Sequence, residues 1–206
     1  MISLYLVRHG ECEGGHSYIG GGSDFPLNGI GRKQIKQLSI TLKNIFSEIE
    51  IDALYSSTMI RAKETAQIIG KSTGIPVQTI PGIEELDFGK WEGLTFNELE
   101  KKYTTEFQSW LDNPAHISPP EGESLADLKR RVLINTEFLT GKINDEKNWN
   151  IILVSHRGPL TVLLLHYLHL GFEYYWNFNI NRGSISKLNL YPRFSEIDYL
   201  NLTAVP

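Results

Sequence analysis

A single cysteine, Cys12, stands in this chain of 206 residues, so no internal disulfide can staple the fold. That suits a reducing compartment, and a cytoplasmic setting is the expectation. Charge of one sign is missing as well. The chain sets 20 Lys and Arg against 24 Asp and Glu, a formal net charge of −4, and its cations are scattered rather than striped, so nucleic acid is not an expected partner. Long apolar runs are absent too. The most apolar stretch, PLTVLLLHYLHLGF at 159–172, is too short to cross a bilayer and holds two histidines, so it reads as a buried helix and no membrane association is expected. The opening MISLYLVRH reaches a charged pair after seven residues, without a basic leader or cleavage site. It reads as a first strand rather than a signal peptide. Neither a Pro/Gly/Ser-rich linker nor a repeat of solenoid length divides the chain, and one domain over 1–206 is expected.

What is present alternates. Short β-rich runs at 2–7, 52–56, 77–80, 151–155 and 184–190 are separated by segments of helical period. The pattern predicts an α/β fold with a mostly parallel central sheet flanked by helices on both faces. Asn28 is placed to cap a helix carrying Ile35, Leu38, Leu42, Ile45, Phe46 and Ile49 on one side. Thr95 with Glu98 forms a capping-box pattern ahead of Leu99, Tyr103, Phe107, Trp110 and Leu111. Ser124 likewise precedes Leu125, Leu128, Val132, Phe138 and Leu139, so two more helices are expected. The join between them, LDNPAHISPPEGES, predicts a long irregular loop. Residues 90–124 are expected to form a small helical and loop insertion over the active site.

Two segments repeat one device. LYLVRHGE at 4–11 and LVSHRG at 153–158 each run an apolar strand into Val-x-His and a glycine-containing turn. Ligands of open parallel sheets bind beyond the carboxyl ends of the strands, which is where His9 and His156 would lie. A third strand, IDALYSS, runs directly into TMIRAKETAQIIG, with Ser57 the expected N-cap and Arg61 in the first turn, and such a helix start favours an anion. Arg8, His9, Arg61 and His156 would then surround one point with fixed or potential positive charge. The sequence offers no acidic cluster and no Cys/His spacing to hold a metal. Phosphate is the natural guest, and arginine forks suit its oxygens. His166 and His169 stand at i and i+3, but in a helix so apolar that packing is their expected role; neither metal nor other cofactor is expected.

In this order, LVRHGE, LNGIGRKQIKQL, SSTMIRAKETA, EELDFGKWEG, PPEGES and VSHRG together resemble the histidine phosphatase superfamily, also called phosphoglycerate-mutase-like. The resemblance implies that His9 is the nucleophile and becomes phosphorylated, and that Arg8, Arg61 and His156 line the phosphate pocket. It implies Glu85 as proton donor rather than Glu84, because the family places its acid three residues before the aromatic-Gly pair, here Phe88-Gly89. The chemistry fits these residue types. Nearby Arg charges oppose protonation of an imidazole and keep it nucleophilic, while a carboxyl group beside a dianionic phosphate holds its proton to higher pH. The chain also departs from the pattern. Cys12 replaces the usual Thr, Gly15 stands where an Asn is usual with His16 beside it, and Arg157 follows the second histidine where Gly is frequent. Arg157 either contacts substrate or points to solvent; His16, Gly21 and Arg157 are the candidate substrate contacts.

The expected activity is a metal-independent phosphomonoester hydrolase acting on a small phosphorylated metabolite. Broad specificity, a phosphoglycerate mutase and a non-catalytic phospholigand-binding module are the alternatives; the short insertion argues against the second, and retention of Arg8, His9, Arg61, Glu85 and His156 against the third. Within the superfamily, the runs YIGGGSDFPLNGIG and YYWNFNINRGSISKLNL look most like α-ribazole phosphatases of the nucleotide-loop branch of cobalamin synthesis. That implies α-ribazole 5′-phosphate as substrate, with Tyr103, Phe107 and Trp110 expected to cover its base.

Overall fold

In the computed structural model, which describes residues 1–14, 20–143 and 145–203, the apolar runs become one sheet. Its strands are β1 (Ile2–Arg8), β2 (Ala53–Ser57), β3 (Val77–Ile80), β4 (Trp149–Ser155), β5 (Ser184–Leu190) and β6 (Ser195–Thr203). They lie in the order β3-β2-β4-β1-β5-β6. β1, β4, β2 and β3 pair in parallel, and β5 and β6 close one side as antiparallel partners. The mostly parallel sheet matches the expectation; β6 is an addition to it.

The helices are α1 (Gly29–Ile45), α2 (Ile60–Thr73), α3 (Phe96–Lys102), α4 (Thr104–Asp112), α5 (Leu125–Asn135), α6 (Glu137–Ile143) and α7 (Arg157–Tyr167). They cover both faces because the inner strands are apolar on both, as parallel strands between helical layers must be. On β1, Ile2, Leu4 and Leu6 join a core with Ile151, Leu153, Leu128 of α5 and Leu160 of α7. Tyr5 and Val7 turn the other way, to Leu38 and Leu42 of α1 and Ala66 and Ile69 of α2. No described helix is long and apolar enough to cross a membrane.

Several boundaries differ from those expected. α1 opens at Asn28, whose side chain accepts from Gly31 N, but it ends at Ile45 and leaves Ile49 outside. The helix expected from Thr95 breaks at Tyr103 (φ −131, ψ 39) into α3 and α4, and the break lets Tyr103, Phe107 and Trp110 close around the fully buried Trp91. The helix from Ser124 breaks at Thr136, whose hydroxyl bonds back to Val132 O at 2.8 Å. α7 ends at Tyr167, and His169 adopts φ 56 beyond it, so His166 and His169 do not share a helix.

Candidate active site

β1 and β4 are adjacent and parallel with Arg8 opposite Ser155, so the two Val-x-His ends finish side by side. His9 N donates to Ser155 O at 3.1 Å, and the rings of His9 and His156 are centred 5.0 Å apart. β2 flanks β4 on its other side, and Arg61, near the start of α2, reaches back over the same end. Ser57 is not the cap of that helix. The N-cap is Met59, while Ser57 stays the last residue of β2 with its hydroxyl bonded to His156 Nε2 at 3.0 Å.

The partners assign the protons of both imidazoles. His9 Nδ1 faces Gly10 O at 2.7 Å; a carbonyl only accepts, so the proton sits on Nδ1 and Nε2 keeps its lone pair. His156 is the reverse. Arg61 Nε, which only donates, lies 3.2 Å from His156 Nδ1, so the proton sits on Nε2 and is donated to Ser57 Oγ. Burial first, then the charges of Arg8 and Arg61, holds His9 well below the ordinary histidine range. Burial, with His9 and Arg61, does the same to His156. Burial pulls the Arg8 guanidinium down to about 10 against the opposing pull of Glu85. Arg8 is anchored through NH1 to Ile180 O at 2.6 Å, while its Nε is buried without a hydrogen-bond partner among the described residues.

Glu85 lies in the loop after β3. Arg131 holds that loop by donating to Glu85 O at 2.8 Å and Gly82 O at 3.1 Å. Glu85 Oε1 accepts from Leu86 N and from Gly158 N at the start of α7, both at 2.9 Å. Gly158 has to be small: a Cβ there would sit 2.4 Å from Glu85 Oε1.

Arg8, His9, Arg61, Glu85 and Arg182 line a tight cavity of about 50 Å³, which adjoins a roomier one of about 310 Å³ walled by Phe88, Phe96, Arg157, Tyr175 and Arg182. The small cavity offers a nucleophilic lone pair, several cations and the carboxylates of Glu85 and Glu13, a combination suited to holding and transferring a phosphoryl group.

The structure thus brings Arg8, His9, Arg61, Glu85 and His156 together. His16 and Gly15 lie outside the described residues. Gly21 does not line the tight cavity: a Cβ on it would meet Leu86 O at 1.6 Å, and its N–H bonds Glu92. Arg157 stands at the outer cavity, over the rings of Tyr175 and Trp176. Tyr103, Phe107 and Trp110 are packed around Trp91 instead of over the cavity, which corrects the expectation that they cover a base; Phe88, Phe96 and Tyr175 are the aromatic walls.

Three features escaped the sequence reading. Arg182 joins the cavity because the antiparallel β5 follows it, with Gly183 N donating to Arg8 O and His9 O at 3.1 and 2.9 Å. Glu92 tethers the 20–23 loop: its Oε1 accepts from Gly21 N and Gly22 N at 2.7 Å and Phe88 N at 3.3 Å, and its Oε2 from Ser23 N and Oγ. That loop in turn gives Ser23 O to Arg61 NH1 at 2.7 Å. Lastly, Asp24, Glu84, Asp87, Glu121 and Glu123 meet around a groove beside Glu85, an acidic cluster that the linear order hides.

A model of the histidine phosphatase superfamily (branch 1) matches residues 4–203. The chain belongs to that superfamily. It is a phosphatase, as are the two curated relatives that follow. It is 27% identical over 206 residues to adenosylcobalamin/α-ribazole phosphatase of Escherichia coli strain K12, covering 99% of this chain and 98% of that one. It is 31% identical over 208 residues to phosphoserine phosphatase 1 of Hydrogenobacter thermophilus, covering 98% and 93%. Among solved structures, phosphoserine phosphatase of Entamoeba histolytica in complex with 3-phosphoglyceric acid superposes with a TM-score of 0.83 at 27% identity, over 98% of each chain.

Proposed function

We propose that this histidine phosphatase hydrolyses small phosphomonoesters without a metal, through a phosphohistidine at His9. The observation that carries the reading is the bond from His9 Nδ1 to Gly10 O, which leaves the Nε2 lone pair for attack. Nε2 bonds to phosphorus and the bond to the alcohol oxygen breaks, that oxygen taking a proton from Glu85. Water then attacks the phosphoryl group, Glu85 takes its proton, and the P–N bond breaks to release phosphate. Arg8 and Arg61 balance the equatorial charge in both steps, and His156 braces Arg61. We take the chain 1–206 as one catalytic unit with the segment 90–124 inserted in it, working in the cytoplasm.

Rapid quenching with radiolabelled ester should trap an acid-labile, alkali-stable phosphoenzyme that His9→Ala lacks. Full turnover by His9→Ala overturns the assignment, and activity lost in EDTA but restored by a divalent metal overturns the metal-free part.

The finer reading takes α-ribazole 5′-phosphate as substrate, in cobalamin synthesis. It is supported by the full-length likeness to the E. coli enzyme and by the aromatic walls Phe88, Phe96 and Tyr175 of the outer cavity. A second reading, a small ester with an anionic alcohol portion, is favoured by a specific observation: Arg157 and Arg182 line that same cavity.

A further inference from the structure

We infer that Gln34 is a positioning residue for the nucleophile, acting on His9 through the Gly10–Glu11 peptide. The inference rests on the phosphohistidine reading and extends it to a side chain that is not among those lining the tight cavity.

The bond that gives His9 its tautomer ends on Gly10 O, and glycine does little to fix its own carbonyl, since its φ and ψ are the least restricted of any residue. Rotation of the Gly10–Glu11 peptide would turn that oxygen away from Nδ1 and free the proton for either ring nitrogen. Two side chains oppose it. The Thr65 hydroxyl accepts from Gly10 N at 3.2 Å and donates to Arg61 O at 2.8 Å, which holds the peptide before the Gly10 Cα. Gln34 Oε1 accepts from Glu11 N at 2.9 Å, which holds the peptide after it, the one that carries the oxygen. An amide N–H only donates, so the Gln34 atom facing Glu11 N is the oxygen.

The resulting chain runs from the Gln34 oxygen through one peptide to the imidazole N–H, and it does more than hold. A peptide whose N–H is bonded has a more polarised carbonyl, so Gln34 makes Gly10 O the better acceptor. As Nε2 bonds to phosphorus and the ester P–O bond breaks, the ring gains positive charge, and its Nδ1–H bond to Gly10 O strengthens with it.

Two glycines put Gln34 in reach. Gly31 and Gln34 are about one turn apart on α1. A Cβ on Gly31 would lie 1.9 Å from Glu11 O, and one on Gly10 2.8 Å from Gly31 O, so the helix start presses on the His9 turn closely enough for the side chain at 34 to meet a main-chain amide. Asn28 ties the same helix start to Glu11, its N donating to Glu11 O at 3.0 Å and its Nδ2 to Glu11 Oε1 at 2.9 Å.

The test compares Gln34→Met, which keeps the length of the side chain and loses the acceptor, with Gln34→Glu, which keeps an acceptor oxygen. Gln34 is half-buried and also lines a cavity of about 410 Å³ with Ile30, Lys33 and Gln37, so either replacement has room. In single turnovers, Gln34→Met should form the phosphoenzyme roughly 3- to 10-fold more slowly, the worth of one hydrogen bond. The factor should be the same for p-nitrophenyl phosphate and for whichever of α-ribazole 5′-phosphate and 3-phosphoglycerate reacts faster. The ester concentration that half-saturates this rate, and inhibition by inorganic phosphate, should hardly move, because Arg8 and Arg61 are anchored elsewhere, on Ile180 O and Ser23 O. Long-range ¹H–¹⁵N spectra should show the His9 Nδ1 proton shifted upfield in Gln34→Met with His156 unchanged, and Gln34→Glu should restore both rate and shift. Gln34→Ala, also without an acceptor, takes the place of Gln34→Met should that variant fail to fold. An unchanged rate without the acceptor, an equal loss in Gln34→Glu, a slower rate with an unmoved His9 spectrum, or a loss confined to half-saturation and phosphate inhibition would overturn the role of Gln34 while leaving the phosphohistidine intact. Turnover by the wild-type enzyme with no phosphoenzyme at His9 would overturn the phosphohistidine reading and this inference with it.

Discussion

Arg61 Nε donates to His156 Nδ1 across 3.2 Å, and the same guanidinium donates through NH1 to Ser23 O at 2.7 Å. One side chain therefore fixes the tautomer of the second histidine and holds the glycine loop beside the cavity. Lysine at 61 would keep a charge but lose the geometry of the fork. Arg61→Lys should lower kcat/KM for any ester roughly 10- to 100-fold. Steady-state kinetics within twofold of wild type would show that charge alone suffices.

Glu85 and Gly158 should behave as a pair. Glu85→Gln should slow alkyl phosphates by roughly 10²- to 10⁴-fold, with a smaller loss for p-nitrophenyl phosphate, whose leaving group needs little protonation. Gly158→Ala keeps the carboxylate but drives a Cβ to 2.4 Å from Oε1, so it should reproduce the same leaving-group dependence more weakly. An equal loss for aryl and alkyl esters in Glu85→Gln would remove Glu85 as the acid.

His9 and His156 tie the pH dependence of stability to the site. In the unfolded chain each takes up a proton below about pH 6.5; in the fold both are held well below that value. Between those limits the unfolded state binds more protons, so stability is full above about pH 6.5 and falls as the pH drops below it. The slope is roughly 1.4 kcal/mol per pH unit for each histidine. Denaturant titrations at pH 7 and 5.5 should show the drop, and His9→Gln should make it shallower. Long-range ¹H–¹⁵N spectra at pH 6 should show two neutral rings of opposite tautomer; an imidazolium at either position contradicts the assignment.

Glu92 should matter to catalysis without touching the ester. Its carboxylate gathers the amides of Gly21, Gly22, Ser23 and Phe88, and Ser23 O in turn anchors Arg61. Glu92→Ala should lower kcat/KM by roughly tenfold or more, by one factor for every ester, and weaken inhibition by inorganic phosphate in step. Glu92→Gln, which keeps one acceptor oxygen, should lose less. A loss that varied with the leaving group, or phosphate inhibition unchanged, would rule out a positioning role through Arg61.

His9, His156 and Arg61 were legible because their local pattern, strand then turn or strand then helix, says where the side chain must end up in a parallel sheet. Glu85 was legible only through the family resemblance, which places the acid three residues before the pair Phe88-Gly89. Arg182 carries no such local pattern: it reaches the cavity through pairing of β5 with β1, a contact between distant parts of the chain. The acidic groove has the same origin, with Asp24, Glu84 and Glu123 on separate segments. β6 carried a weak signal, since Glu196, Ile197, Asp198 and Tyr199 alternate polar and apolar as they alternate exposed and half-buried, but the exposed Leu200 and half-buried Asn201 break the pattern. The breaks at Tyr103 and Thr136 left no mark, because Phe107 and Leu139 stay on the core side after them and the apolar period runs on.

β1 is made before either of its sheet neighbours, which begin at Trp149 and Ser184. Until β4 follows, the growing chain carries the Arg8-His9 turn with neither edge of β1 paired and without Ile180 O to anchor Arg8. A chain clipped before β5 lacks that anchor and one neighbour of β1, and should be inert rather than weakly active.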